Sequence, residues 1–132
     1  MKVINSSGKR KPAIARATVK DGKGRVRVNS VPLEILQPEL RRVGARFPQH
    51  VGTVHGKGLV AALHVVKPGG IEPDKELATR IVWRCIEKGL MLFAPVGYAG
   101  ASVKISPPLV IEEDAIREGI GVLEEAMEEV IS

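Results

Sequence analysis

At 132 residues, 44% hydrophobic but only 3% aromatic, the chain has the length of one domain and must build its core from aliphatic side chains. One cysteine, Cys85, excludes an intrachain disulfide, and no Cys/His cluster has zinc-ligand spacing. No apolar run approaches the ~18–20 residues of a membrane span and no signal-like segment opens the chain, so a reducing, cytoplasmic setting without membrane or metal is expected. The formal net charge of +5 hides an asymmetry: residues 1–46 carry 12 Lys+Arg against 3 Asp+Glu, a balance of +9, whereas residues 47–132 carry 8 against 12, a balance of −4. A basic arm on an acidic body is the charge pattern of a nucleic-acid contact, or of two halves with different histories.

In chain order, residues 1–10 are polar and basic and are expected to fray. Residues 12–20, PAIARATVK, alternate, with Ala13, Ala15, Ala17 and Val19 on one face and Arg16, Thr18 and Lys20 on the other, the period of a half-buried strand. Asp21-Gly22-Lys23-Gly24 signals a turn, and residues 25–29 alternate again, with Val26 and Val28 opposite Arg25 and Arg27. Together they predict an antiparallel hairpin with a small-apolar face and a basic face. Residues 39–46 read as a short helix stopped before Pro48, with Pro38 suited to its first turn. Residues 51–55 read as a short extended piece and 59–66 as a buried strand. The clearest helix is 75–88, with Asp74 as N-cap, Gly89 at C′ and a stripe of Leu77, Ala78, Ile81, Val82 and Cys85 that leaves Trp83 nearly opposite. Strands follow at 90–94 and 102–106. A final helix over about 113–130 carries Ile116, Ile120, Leu123, Met127 and Val130 on one stripe, and its glutamates read as a solvated face.

The expected fold class is α+β: a small, mostly antiparallel sheet with an N-terminal β-hairpin and two to three helices packed on one face. The candidate functional residues are basic. Lys9, Arg10, Lys11, Arg16, Arg25 and Arg27 are candidates for phosphate or RNA contact, with Arg16, Lys20, Arg25 and Arg27 placed on one side by alternation. No aromatic residue lies in this arm, so any binding is expected to be weak and blind to sequence. GTVHGKGL fails as a phosphate-binding loop because three residues, not four, separate Gly52 from Gly56, and Gly58 stands where a Ser or Thr would hold magnesium. His50, His55 and His64 pair with no Ser or Cys at a recognisable spacing, and Cys85 on its apolar stripe reads as an inert core thiol.

Two stretches resemble known families. Residues 8–34, GKRKPAIARATVKDGKGRVRVNSVPLE, resemble the start of the small-subunit ribosomal protein family numbered nine, departing from it at Pro12, where a Thr is usual, and Ser30, where a Gly is usual. The chain carries no counterpart of that family's Lys/Arg-rich tail, which the resemblance would place near transfer RNA; it closes on EEAMEEVIS. From about residue 40 to 132, VGTVHGKGLVAALHVV, PDKELATRIVWRCIEKGLMLFAPVG and VKISPPLVIEEDAIREGIGVLEEAM resemble, in order, the C-terminal small domain of class III pyridoxal-phosphate aminotransferases of the 4-aminobutyrate and ornithine type. The division expected is 1–39 as a ribosomal-protein-like basic hairpin and 40–132 as an aminotransferase-like segment, the two folding together as one domain, with the join near Pro38 to Arg41.

The second resemblance implies a cofactor-binding large domain that nothing in these 132 residues matches, so no cofactor and no catalysis are expected. Its one functional contribution, an Arg that grips a substrate carboxylate just before Pro-Pro-Leu, corresponds to Lys104, which keeps the charge without the bidentate fork. The reading is a recombined or engineered, non-catalytic chimera. The alternatives are weak RNA binding through the basic arm and a fragment that acts only with a missing large domain. The hairpin could supply replacement strands to the truncated domain; a homodimer through the exposed sheet edge or an exchanged segment, with Trp83 at the contact, is the other way to cover its apolar surface.

Overall fold

The computed structural model describes residues 2–28 and 31–132. Its elements are β1 (Val3–Arg10), β2 (Ala13–Lys20), β3 (Arg27–Val28), β4 (Val31–Pro32), a 3-10 turn at Leu33–Ile35, α1 (Leu36–Arg46), β5 (Val51–Lys57), β6 (Val60–Val65), α2 (Lys75–Glu87), β7 (Ser102–Ile105) and α3 (Glu113–Ile131). The α+β class and the N-terminal hairpin expected from the sequence are both present.

The hairpin differs from expectation in its partner. β2 pairs along its whole length with β1, from Val3↔Lys20 to Arg10↔Ala13, so residues 3–10 form a strand rather than a frayed tail. The turn is Lys11-Pro12. Pro12 has no N–H to donate to a ladder and so sits in the loop, and Lys11 takes the positive φ (54°) that a two-residue hairpin loop asks of its first position. Ile4 opposite Val19, and the Thr18 hydroxyl donating to Asn5 Oδ1 at 2.6 Å, supply the cross-strand pairs. The Asp21–Lys23 bend does not close a hairpin. Arg27–Val28 pairs instead with Val31–Pro32, and Asn29 and Ser30 lie outside the described residues. Every residue of β1 and β2 is exposed, so the hairpin does not cover the body's apolar surface.

The body is a three-stranded antiparallel sheet in the order β5-β6-β7 with α1 and α2 against one face and α3 packed on those two helices. β6 alternates: Ala61, Leu63 and Val65 are buried, whereas Val60, Ala62 and His64 are not. The 59–66 stretch is therefore half-buried, with one face left open, where a fully buried strand was expected. Leu36, Leu40 and Val43 of α1, Leu77, Ala78, Ile81, Val82 and Cys85 of α2, and Ile116, Ile120, Leu123 and Met127 of α3 meet over the covered face. Gly44 lets α1 approach β5, since a Cβ there would stand 2.9 Å from Val54 Cγ2.

Local signals place α2 as expected. Asp74 Oδ1 accepts from the Leu77 N–H at 2.9 Å, and Gly89 follows the helix with φ 95°. Residues 90–94 do not form a strand. Leu90 and Leu92 turn toward the core while Met91 and Phe93 face out, the alternation of a strand, but the segment meets β7 only at the isolated Val96↔Ser102 bridge. The final helix keeps Glu118, Glu125 and Glu128 exposed as expected, but several of its glutamates are also partnered. Glu124 accepts from Arg42 at 3.1 and 3.0 Å and pairs with Arg46, and Glu129 pairs with Lys88 at 2.9 Å and with Arg84. Arg117 reaches back to Glu39 at 3.1 Å. These pairs tie α3 to α1 and to α2.

Two expectations follow. Asp74→Ala removes the cap of α2 and should cost about 1 kcal/mol in denaturant unfolding. The hydrogen bonds from Arg42 and Arg46 hold the Glu124 carboxyl below its ordinary 4.5. A lowered folded-state value means that the stabilisation is present above the unfolded value and is lost as pH falls through the folded one. Acid melting curves of the chain should therefore steepen below about pH 4.5, and Glu124→Gln should flatten that dependence.

Candidate functional site

The register of the hairpin fixes which side chains share a face. Residues paired across the ladder lie on the same side, so Val3, Asn5, Ser7 and Lys9 stand opposite Lys20, Thr18, Arg16 and Ile14 on one face, where the cations are interspersed with Val3 and Ile14. Ile4, Ser6 and Arg10 line up with Val19, Ala17 and Ala13 on the other. Lys9, Arg16 and Lys20 thus form one exposed basic face, Lys11 sits at the turn tip, and Arg10 projects from the small-apolar side. Strands β1 and β2 contain no acidic residue. Arg25 and Arg27 are exposed but outside this ladder, Arg25 before β3 and Arg27 within it, so the expected single row with Arg16 and Lys20 is not formed.

The second candidate, Lys104, is exposed on β7, opposite Ala62 of β6. It belongs to the face of the sheet that the helices do not cover. Across that face run Thr53↔His64↔Ser102 and His55↔Ala62↔Lys104. His64 Nδ1 lies 3.1 Å from Ser102 Oγ, and its ring centroid is 6.1 Å from that of Tyr98. Lys104 Nζ lies 5.8 Å from the Phe93 ring centroid. His55 and His64 therefore share a face, and no group of three metal-ligating side chains occurs among the described residues. Sequence periodicity did not bring Phe93 and Tyr98 to this face. The available signal was charge, since Lys104 is the one charged residue between Gly89 and Pro108.

This arrangement does not suit pyridoxal phosphate. Lys57 and Lys104 are exposed on strands, and β5, β6 and β7 carry no carboxylate that could meet a pyridine nitrogen. Gly56 and Lys57 end β5, paired with Ala61 and Val60, and Gly58 opens the turn to β6, so the stretch forms a hairpin end rather than a phosphate loop. Burial pushes the Cys85 thiol up to about 11, which leaves it a thiol rather than a nucleophilic thiolate near neutral pH. A groove of about 540 Å³ opens between residues 90–93, the end of β7 and the first half of α3. No helix among the described residues is long and apolar enough to cross a membrane.

With the geometry in place, comparison with known proteins gives two answers. The sequence model of the family described as Ribosomal protein S9/S16 matches residues 8–89, more than half of the chain. The chain belongs to this family. A stretch of 48 residues is 70% identical to the small ribosomal subunit protein uS9 of Methanothrix thermoacetophila, covering 36% of each chain. A stretch of 99 residues, 75% of the chain, is 32% identical to an alanine/serine racemase of Pyrococcus horikoshii and covers 20% of it. Among solved structures, the adenosylmethionine-8-amino-7-oxononanoate aminotransferase of Methanocaldococcus jannaschii matches with TM-score 0.61 and 28% identity, over 74% of this chain and 22% of that one.

Both resemblances read from the sequence are thus present in one S9/S16 family chain. The chain spans about a third of its ribosomal relative and about a fifth of the racemase and the aminotransferase. The two curated matches together exceed 132 residues, so they share part of the chain.

Proposed function

We propose that the chain is a recombined, non-catalytic protein whose aminotransferase-like body carries an S9-type hairpin as an RNA-contacting arm. The observation that carries this reading is the exposed face of Lys9, Arg16 and Lys20, which lies on strands without an acidic residue. Lys11 at the turn tip and Arg10 extend the positive field beyond that face. Such a surface exchanges condensed counterions for ammonium and guanidinium groups, so its affinity is electrostatic and independent of base sequence. The join near Pro38 to Arg41 falls in the first half of α1, so the body begins within a helix that the arm's own segment opens.

Two measurements test this. In a mobility-shift assay at low salt, the chain should retard RNA, with affinity falling steeply as salt rises. Replacing Lys9, Arg16 and Lys20 together by Ala should lower the salt slope by about 2, at ~0.7 per phosphate on a single strand. Replacing Arg25 and Arg27, which lie outside the ladder, should lower it less. Unchanged binding after the triple replacement would remove the hairpin from the reading.

The non-catalytic part rests on Lys57 and Lys104 having no carboxylate on the strands around them. Purified chain mixed with pyridoxal phosphate should develop no absorption band of a lysine-bound cofactor, and borohydride should fix none to the protein. A borohydride-stable adduct on a single lysine, accompanied by turnover of an amino donor, would overturn it.

A further inference from the structure

The open face of the body's sheet has a composition that differs from both ends of the chain. Two exposed aromatic rings stand beside residues of this face: Tyr98, at 76% exposure, against His64, and Phe93, at 65%, against Lys104 at the β7 edge, where Phe93 also lines the groove to α3. His64 and Lys104 belong to neighbouring cross-strand pairs two residues apart, about 7 Å along the strand. Lys57 and His55 extend the face on β5. Neither the three strands nor the loop from Gly89 to Ala101 contains a carboxylate, although Asp and Glu number 12 in residues 47–132. Most acids of the body lie on helices, several of those on α3 paired with α1 and α2, and none lies on the three strands.

Exposed rings on an uncovered sheet surface, interleaved with cations and free of acids, provide what a single-stranded nucleic acid needs. The rings offer planes on which unpaired bases stack, and the ammonium groups meet the phosphates between them. A duplex cannot use the rings, because its bases are stacked on one another. A carboxylate-bearing partner such as an acidic peptide would satisfy the cations but would leave Phe93 and Tyr98 unused.

We propose that the open face of the β5-β6-β7 sheet is a stacking platform for single-stranded RNA, with Phe93 and Tyr98 as the base-contacting rings and Lys104 and Lys57 as phosphate contacts. The platform extends the RNA reading given above from the arm to the body. It adds what the hairpin lacks, a means of telling an unpaired strand from a paired one.

The test uses the full chain with two probes, an oligouridylate of about twelve nucleotides and the same strand annealed to oligoadenylate. The unmodified chain should bind the single strand more tightly than the duplex. Phe93→Leu and Tyr98→Leu, at exposed positions outside the core, should each weaken single-strand binding about five-fold or more and leave duplex binding unchanged. Phe93→Tyr should keep the preference. Circular dichroism and melting temperature confirm that the leucine variants fold.

The hairpin variant lacking Lys9, Arg16 and Lys20 separates the two readings. It should weaken both probes alike and leave their ratio intact. Equal affinity for the two probes, or a preference that survives both leucine replacements, overturns the platform while leaving the arm's phosphate contact standing. A ring-dependent preference with no effect of the hairpin variant supports the platform and overturns the arm. Absence of binding to either probe at low salt overturns both.

Discussion

The body depends on how α1 and α2, held together by α3, cover one face of a sheet only three strands wide. Leu40, Val43, Leu63, Ile81, Cys85 and Met127, from α1, β6, α2 and α3, are fully buried there. With few aromatic side chains to fill space, this core works by close approach of aliphatic surfaces, and Gly44 is part of that economy because α1 reaches β5 where a methyl group would not fit. Burial at about 25 cal/mol per Å² favours such contacts regardless of direction. The orientation of the helices comes from the charges at their rims. Glu124 is gripped by two arginines of α1, and Glu129 by Arg84 and Lys88 of α2. Exposed pairs of this kind each contribute little, but a linked set that joins three helices restrains their relative rotation.

Much of this was legible along the chain. Wherever one period persisted with its boundary residues, the element formed: the 75–88 helix had Asp74, Gly89 and a clean stripe, and all five stripe residues are buried. The final helix was equally clear, although Ala126, fully buried, escaped notice because alanine marks a stripe weakly. Strand pairing was less legible. Alternation assigned 12–20 to a strand but could not choose its partner, and the turn signal at Asp21–Gly24 drew attention away from Lys11-Pro12, where proline's missing donor closes the loop. At 90–94 the alternation of a strand was real, yet only the Val96↔Ser102 bridge meets the outer edge of β7, and no local pattern reports where pairing takes hold.

The candidate sites show the same division. Charge could be counted along the sequence, and it located the basic arm. Which cations share a face depended on pairing, and that removed Arg25 and Arg27 from the row formed by Lys9, Arg16 and Lys20. The rings beside His64 and Lys104 were invisible to periodicity because Phe93 and Tyr98 lie in a segment without regular structure. A scan for stretches depleted in acid would have found them.

The helix α1 also sets a condition on how such a chain can be assembled. Leu36, Leu40 and Val43 are buried at helical spacing along it. Adding or deleting a single residue there would turn everything downstream by about 100° about the helix axis. Buried leucines would swing toward water and the Arg42 and Arg46 side chains away from Glu124. The length of this helix is therefore governed by rotational phase, and few insertions or deletions preserve it.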